Sequence, residues 1–204
     1  MENESKLRHK AQTRLRILDE AAKVMREYGT DGIGVAALMK RVGLTHGGFY
    51  AHFSSREALV DAVVVHMFLN SAQRIEQYLT IEDPRQRLVE FIDNYLSERH
   101  CAMIGEGCPL PALAGEMTHL SQTSRTFFSE KRAAISDFIR RALQQLQHGN
   151  AEFLASSMLA EMVGSMALAR ACPDKLEAHN MLAISRQSLK LRAGLAGAGQ
   201  DNEA

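Results

Sequence analysis

Val42-Gly43-Leu44-Thr45-His46-Gly47-Gly48-Phe49-Tyr50-Ala51-His52-Phe53 is the most informative stretch of the chain. A short helix is expected before it, from about Val35 to Val42, and a second one within it, from about His46 to His52. Gly43 suits the sharp turn between them, and two short helices meeting at such a turn have helix-turn-helix proportions. Thr45 is a good N-cap, with a hydroxyl able to accept the N–H near Gly48. Phe49 and Phe53 stand four apart and both face inward, which leaves His46, Gly47, Tyr50 and part of Gly48 outside. Two glycines at a helix start cost about 1 kcal/mol each relative to alanine, but they let the backbone lie close against a partner. The helix start also aims free N–H groups at anions. Tyr50 can donate to a phosphate, and His46 can reach a base edge or a phosphate.

The flanking sequence extends the helical reading. Ile17, Leu18, Ala21, Ala22 and Met25 recur at helical spacing until Gly29, and Thr30 to Gly34 reads as a turn. A long helix is expected from about Arg56 to Leu79, with Glu57 in its first turn, where the helix dipole favours an acid. Asp83-Pro84 opens the next, expected to run to about Arg99. Residues 104–109 read as a loop before a short helix from about Leu110 to Met117. Later helices are expected at Ser124–Gln147, Ala151–Ala171 and Asp174–Arg192. The fold class is therefore all-α, with about nine helices: a helix-turn-helix head at 1–60, a larger helical domain at 61–193, and a flexible tail at 194–204.

Residues 13–60 resemble the DNA-binding head of the TetR/AcrR regulators. The resemblance rests on Thr13-Arg14, Ile17-Leu18, Ala21-Ala22, Gly29, the run from Val42 to Phe53, and Arg56-Glu57-Ala58-Leu59. It implies a homodimer whose recognition helices enter successive major grooves of a palindromic double-stranded operator. It also implies a repressor released when a small-molecule inducer binds the larger domain. The DNA-binding residues it points to are Gly34, Thr45, His46, Gly47, Gly48, Tyr50, His52 and Arg56. The chain departs from the family in three places. Gly34 stands where a capping Ser or Thr often touches phosphate, Met39 where a small alanine is usual, and Arg56 where lysine is commoner. The recognition helix offers no Asn, Gln or Arg, so specificity is expected to lean on DNA shape and thymine methyl groups.

In the larger domain, Met67, Phe68, Phe91, Tyr95, Met103, Cys108, Met117, Phe128, Met162 and Met166 could line an apolar ligand pocket; simple core packing would use the same side chains. Ala155, Leu159, Met162, Val163 and Met166 form a stripe that suits a dimer interface, in which the last two helices pair with their copies as a four-helix bundle; the same stripe could pack internally. Cys108 meets a helix start, where a thiolate is favoured. The alternative function is therefore a repressor that senses electrophiles or oxidants through Cys108, while a quiet space-filling role remains open.

The totals fit this picture. Ten Lys/Arg face seven Asp/Glu in residues 1–60, against fourteen and seventeen in the remainder, a basic head on an acidic body. Three cysteines are too few and too sparse for a disulfide framework. No apolar run approaches the ~18 residues of a membrane span, and the polar start does not read as a signal peptide, so a cytoplasmic protein is expected. There is no phosphate loop, nucleophile elbow or paired metal spacing; His100, Cys101, Cys108 and His119 do not suit zinc. Neither an enzyme, a metal site nor a cofactor is expected.

Overall fold

The structure is a computed structural model that describes residues 2–195. The expected tail lies outside the described residues from position 196 onward. The described residues form α-helices joined by short 3-10 turns, with no strand among them. The helices are α1 (Glu2–Tyr28), α2 (Val35–Arg41), α3 (Arg56–Leu79), α4 (Pro84–Tyr95), α5 (Glu98–Ala102), α6 (Pro109–Leu113), α7 (Gln122–Gln145), α8 (Ala151–Ala171) and α9 (Lys175–Arg192).

The start and stop signals act as their chemistry dictates. Asp83 caps α4 by accepting from Arg85 N at 3.0 Å and Gln86 N at 3.3 Å, with Pro84 in the first position where no N–H is missed. Asp174 caps α9 in the same way. Gly29 ends α1 with a φ of 74°, a conformation that side chains rarely adopt.

Three expectations need correction. The helix expected from Pro84 to Arg99 breaks at Leu96-Ser97. There Ser97 Oγ donates to Asn94 O and also accepts from His100 N, closing one helix and capping the next. The helix expected from His46 to His52 is a 3-10 helix, His46–Ala51, and the one expected from Leu110 to Met117 stops at Leu113. Conversely, α1 starts at Glu2, well before its apolar periodicity begins.

The chain divides into two compact units, Met1–Ser71 with Ile104–Glu130, and Ala72–Met103 with Lys131–Ala204. Residues 1–60 fall within the first unit, which also takes in a later segment of chain. In this unit α1 packs against α2 and α6 around Ile17, Met25, Met39, Phe49, Met67 and Leu110, all almost fully buried. Polar bonds reinforce it. Arg26 donates to Gly105 O at 3.1 Å, Glu116 Oε2 accepts from Thr30 N at 2.8 Å, and Ser121 and Ser124 both donate to Asp61 Oδ1.

The second unit is built on the α8–α9 pair, with α4 against α9 and α5 against α8. Its core includes Leu88, Ile92, Leu143, Met158, Met166, Leu182 and Leu189. Gly194 and Leu195 belong to it: Arg85 donates to Gly194 O at 2.6 Å, and Leu195 is buried.

His100 lies inside this second unit, its ring donating from Nδ1 to Tyr95 O at 2.6 Å. Burial, helped by the nearby Arg170 and Arg74 and opposed by the Tyr95 bond, pushes its pKa down to about 4. An unfolded histidine titrates near 6.5, so the unfolded chain binds the extra proton first as pH falls. Stability is full above pH 6.5 and declines between 6.5 and about 4, by on the order of 3 kcal/mol. Thermal unfolding of His100→Gln across that range should show a flatter pH dependence than the wild type; parallel curves would contradict this assignment.

Candidate nucleic-acid interface

Local reasons place the key residues of the Gly43–Phe53 stretch. Gly43 has a φ of 72°, so the turn after α2 requires it. Thr45 holds extended backbone geometry, and its Oγ1 accepts from Gly48 N at 3.3 Å. Phe49 and Phe53 are buried and stacked with ring centroids 5.6 Å apart. They pull the 3-10 segment onto the head, leaving Thr45, His46, Gly47 and Tyr50 exposed. Tyr50 is 65% exposed although its ring sits edge-on to Phe49 at 5.3 Å and to His46 at 6.1 Å.

The two glycines of the segment differ in their surroundings. A Cβ at Gly48 would touch the Met39 methyl at 3.8 Å, so the larger residue at position 39 fills the space over this glycine. A Cβ at Gly47 would meet nothing, and its φ is not in the left-handed region. Nothing inside the chain demands glycine there, although glycine weakens a helix. Gly34 is the exposed N-cap of α2 without a side-chain cap bond.

His52 is half-buried, and its Nδ1 has no hydrogen-bond partner among the described residues. Burial first, then the Lys10 and Arg14 charges, holds its pKa below the usual histidine value. It is therefore neutral at physiological pH and presents a hydrogen-bonding ring instead of a charge.

Arg56 is turned differently from a simple phosphate ligand. Its guanidinium donates to Thr30 O at 2.6 Å and Ile33 O at 3.3 Å, beside Asp31, so it clasps the turn between α1 and α2. Glu116 grips the same turn through Thr30 N, and a Cβ at Gly29 would collide with that carboxylate. Sequence reasoning missed Glu116 because 86 residues separate it from Thr30.

The apolar residues singled out for a ligand pocket fall into both units. Met67, Phe68, Cys108, Met117 and Phe128 belong to the first, where Phe68 meets Phe128 edge-on at 5.7 Å. Phe91, Tyr95, Met103, Met162 and Met166 belong to the second, where Phe91 packs on Phe138 at 5.0 Å. A surface groove of about 570 Å³ in the first unit is lined by other residues, among them Tyr28, Arg56, Glu57, Asp61 and Glu116.

The supposed interface stripe on α8 also needs correction. Ala155, Leu159, Met162 and Met166 are buried within the chain and Val163 is half-buried. The uncovered face of α8 carries Phe153, Ala160 and Leu168 instead, and α9 exposes Leu176, Ile184 and Leu191. Cys108 is buried, and the helix after it has only five residues. Among the described residues, no three His, Cys, Asp or Glu are grouped to hold a metal, and no helix is long and apolar enough to cross a membrane.

Residues 17–63, the part that builds this surface, match the family model of bacterial regulatory proteins of the tetR family. The amino-terminal head is therefore similar in sequence to the heads of that family. The HTH-type transcriptional repressor DhaR of Mycobacterium sp. strain GP1 is 27% identical over 113 residues, 55% of this chain and 56% of that protein. The chain thus spans about half the length of this curated relative. A solved TetR transcriptional regulator from Chloroflexus aurantiacus has the same fold, with a TM-score of 0.79 at 23% identity over 92% of this chain and 96% of that one. AibR, solved in complex with isovaleryl coenzyme A and operator DNA, matches with a TM-score of 0.63 at 16% identity over 84% and 97% of the two chains. The tetR-type fold therefore extends well beyond the head.

Within that head, Arg56→Gln removes the clasp on the α1–α2 turn. Amide hydrogen exchange at 30–34 should accelerate severalfold while the core amides of α1 stay protected. Unchanged exchange in the turn would assign Arg56 no positioning role.

Proposed function

We propose that the chain is a homodimeric DNA-binding transcriptional regulator, a repressor that leaves a palindromic operator when a small-molecule inducer binds. The observation that carries the reading is the surface of the His46–Ala51 segment. Its aromatic anchors are buried, Tyr50 and His46 stand free, and Gly47 is a glycine that the chain's own packing does not require. A backbone bare of Cβ at that point can approach the floor of a groove. Thr45, Gly34, Gly48 and His52 border the same contact, and Arg56 supports it by holding the preceding turn.

Two further features favour the wider reading. The uncovered apolar side chains of α8 and α9, with Phe153 81% and Ile184 67% exposed, are more than a lone water-facing helix pair needs, and they suit a four-helix bundle with a second copy. AibR binds both a ligand and operator DNA on a similar fold, which supports an inducer in the larger domain here. A buried Cys108 argues against direct attack by a thiol reagent, so the reversible ligand is the preferred signal. The proposal places the protein in the cytoplasm with its DNA, as a regulator without catalytic activity.

Selection from random double-stranded DNA tests the reading directly. Enrichment of a palindrome with half-sites about one helical turn apart is expected, whereas no enrichment at low salt would remove the DNA-binding reading. On the selected duplex, Tyr50→Ala should weaken binding to all sequences and His46→Ala should relax base preference. Replacing both Phe153 and Ile184 by Asp should shift the chain from dimer to monomer in sedimentation; a dimer that survives the double change would place the interface elsewhere.

A further inference from the structure

Helix α1 begins well before it meets the core. Residues 4–12 are all exposed, and Thr13 is the first buried position. Helical spacing shows what those exposed turns present. Thr13, Ile17, Ala21 and Val24 follow one another at steps of three and four along the buried face. Continuing the same steps backward from Arg14 leads to Lys10 and then Lys6. The face that is apolar inside the head becomes cationic where the head ends. From residue 6 to residue 16 the chain places Lys6, Arg8, Lys10, Arg14 and Arg16 and no acid at all.

Two contacts tie this ridge to the His46–Ala51 segment. The Arg14 guanidinium lies 4.8 Å from the centre of the Phe53 ring, and Phe53 stacks on Phe49, which carries Tyr50 at its edge. Lys10 and Arg14 also lie close enough to His52 for their charges to oppose its protonation. The ridge and the exposed edge of the recognition segment are therefore neighbours on one unit.

The ridge carries a local cost. Lys10 and Arg14 are like charges at i,i+4 spacing, which destabilise a helix by a few tenths of a kcal/mol. Helical turns outside a core are marginal in water to begin with. A polyanion lying along the ridge would relieve both penalties.

We propose that the exposed turns of α1 form a second DNA contact, in which Lys6, Lys10 and Arg14 follow the phosphate backbone beside the bases faced by His46 and Tyr50. This rests on the DNA-binding reading above and adds to it a flanking footprint that carries affinity without base specificity.

The test uses the full chain and the selected duplex in two forms, one with flanking base pairs and one trimmed to the half-sites. Affinity is measured between about 50 and 200 mM salt, where lost phosphate contacts appear as a shallower dependence on salt. For Lys6→Gln/Lys10→Gln, the log–log slope on the flanked duplex should fall by about one per lysine in each protomer. Lys6→Arg/Lys10→Arg should keep the wild-type slope, and the trimmed duplex should erase the difference. Both lysines are exposed, so the melting temperature of each variant should match the wild type. Equal slopes and affinities for the Gln variant and the wild type on the flanked duplex, with Tyr50→Ala still weakening both, would overturn the ridge and leave the DNA-binding reading intact. A wild-type chain that retains no duplex would overturn both.

Discussion

The burial of Phe49 and Phe53 is the interaction on which the candidate site depends. A six-residue 3-10 segment with two consecutive glycines has almost no stability of its own, and the glycines cost about 1 kcal/mol each. Fully burying a phenylalanine contributes roughly 1.5–3 kcal/mol, and the Thr45 cap adds about 1. The anchors therefore outweigh the glycines by a modest margin. That margin holds Tyr50 outside, because the residue next to an inward-facing aromatic on so tight a helix must point elsewhere. The Met39 side chain over Gly48 completes the arrangement from below. A Cβ would be in ordinary contact at Gly48 and in open space at Gly47, so the chain's own packing demands glycine at neither position.

The head was legible in the sequence because its signals are local. Caps, the positive-φ glycines and the four-residue aromatic spacing each act within a turn or two. Most helices downstream were legible for the same reason, with α8 running from Ala151 to Ala171 as its spacing implied. What escaped was of two kinds. Polar helix carries no apolar period, so the first turns of α1 left no trace. An apolar helix, on the other hand, carries too much: α8 has Ala155, Leu159 and Met162 on one face and Phe153, Ala160 and Leu168 on another, and spacing alone cannot say which is turned inward. Only the packing of α9 and α5 against it settles the matter.

Arg56 shows how a local match leaves part of a role unread. Its position after the recognition segment suits a phosphate contact, yet its fork of donors points at two carbonyls of the preceding turn. Planar, multidentate geometry suits that task, and a lysine could not span both oxygens in the same way. The residue contributes to the surface by fixing the backbone on which α2 and the 3-10 segment are set.

The same turn is gripped from the far side by Glu116, and this bears on where the head ends. Arg26 binds the carbonyl of Gly105, Glu116 binds the Thr30 amide, and Asp61 takes two serine hydroxyls from the start of α7. These bonds draw Ile104–Glu130 into one compact unit with residues that sequence alone would assign to a separate head. Gly29 lies directly beneath this carboxylate, so a Cβ at that position would force Glu116 to shift. Any rearrangement of Ile104–Glu130 must then either carry the Gly29–Thr30 turn with it or break a charge-assisted bond whose loss costs on the order of 1.5–3 kcal/mol when buried, and less at this half-exposed site. A cost of that size is comparable with the coupling energies that link ligand and DNA sites in switchable proteins. The turn before α2 is therefore the point at which the later chain and the recognition segment are mechanically joined.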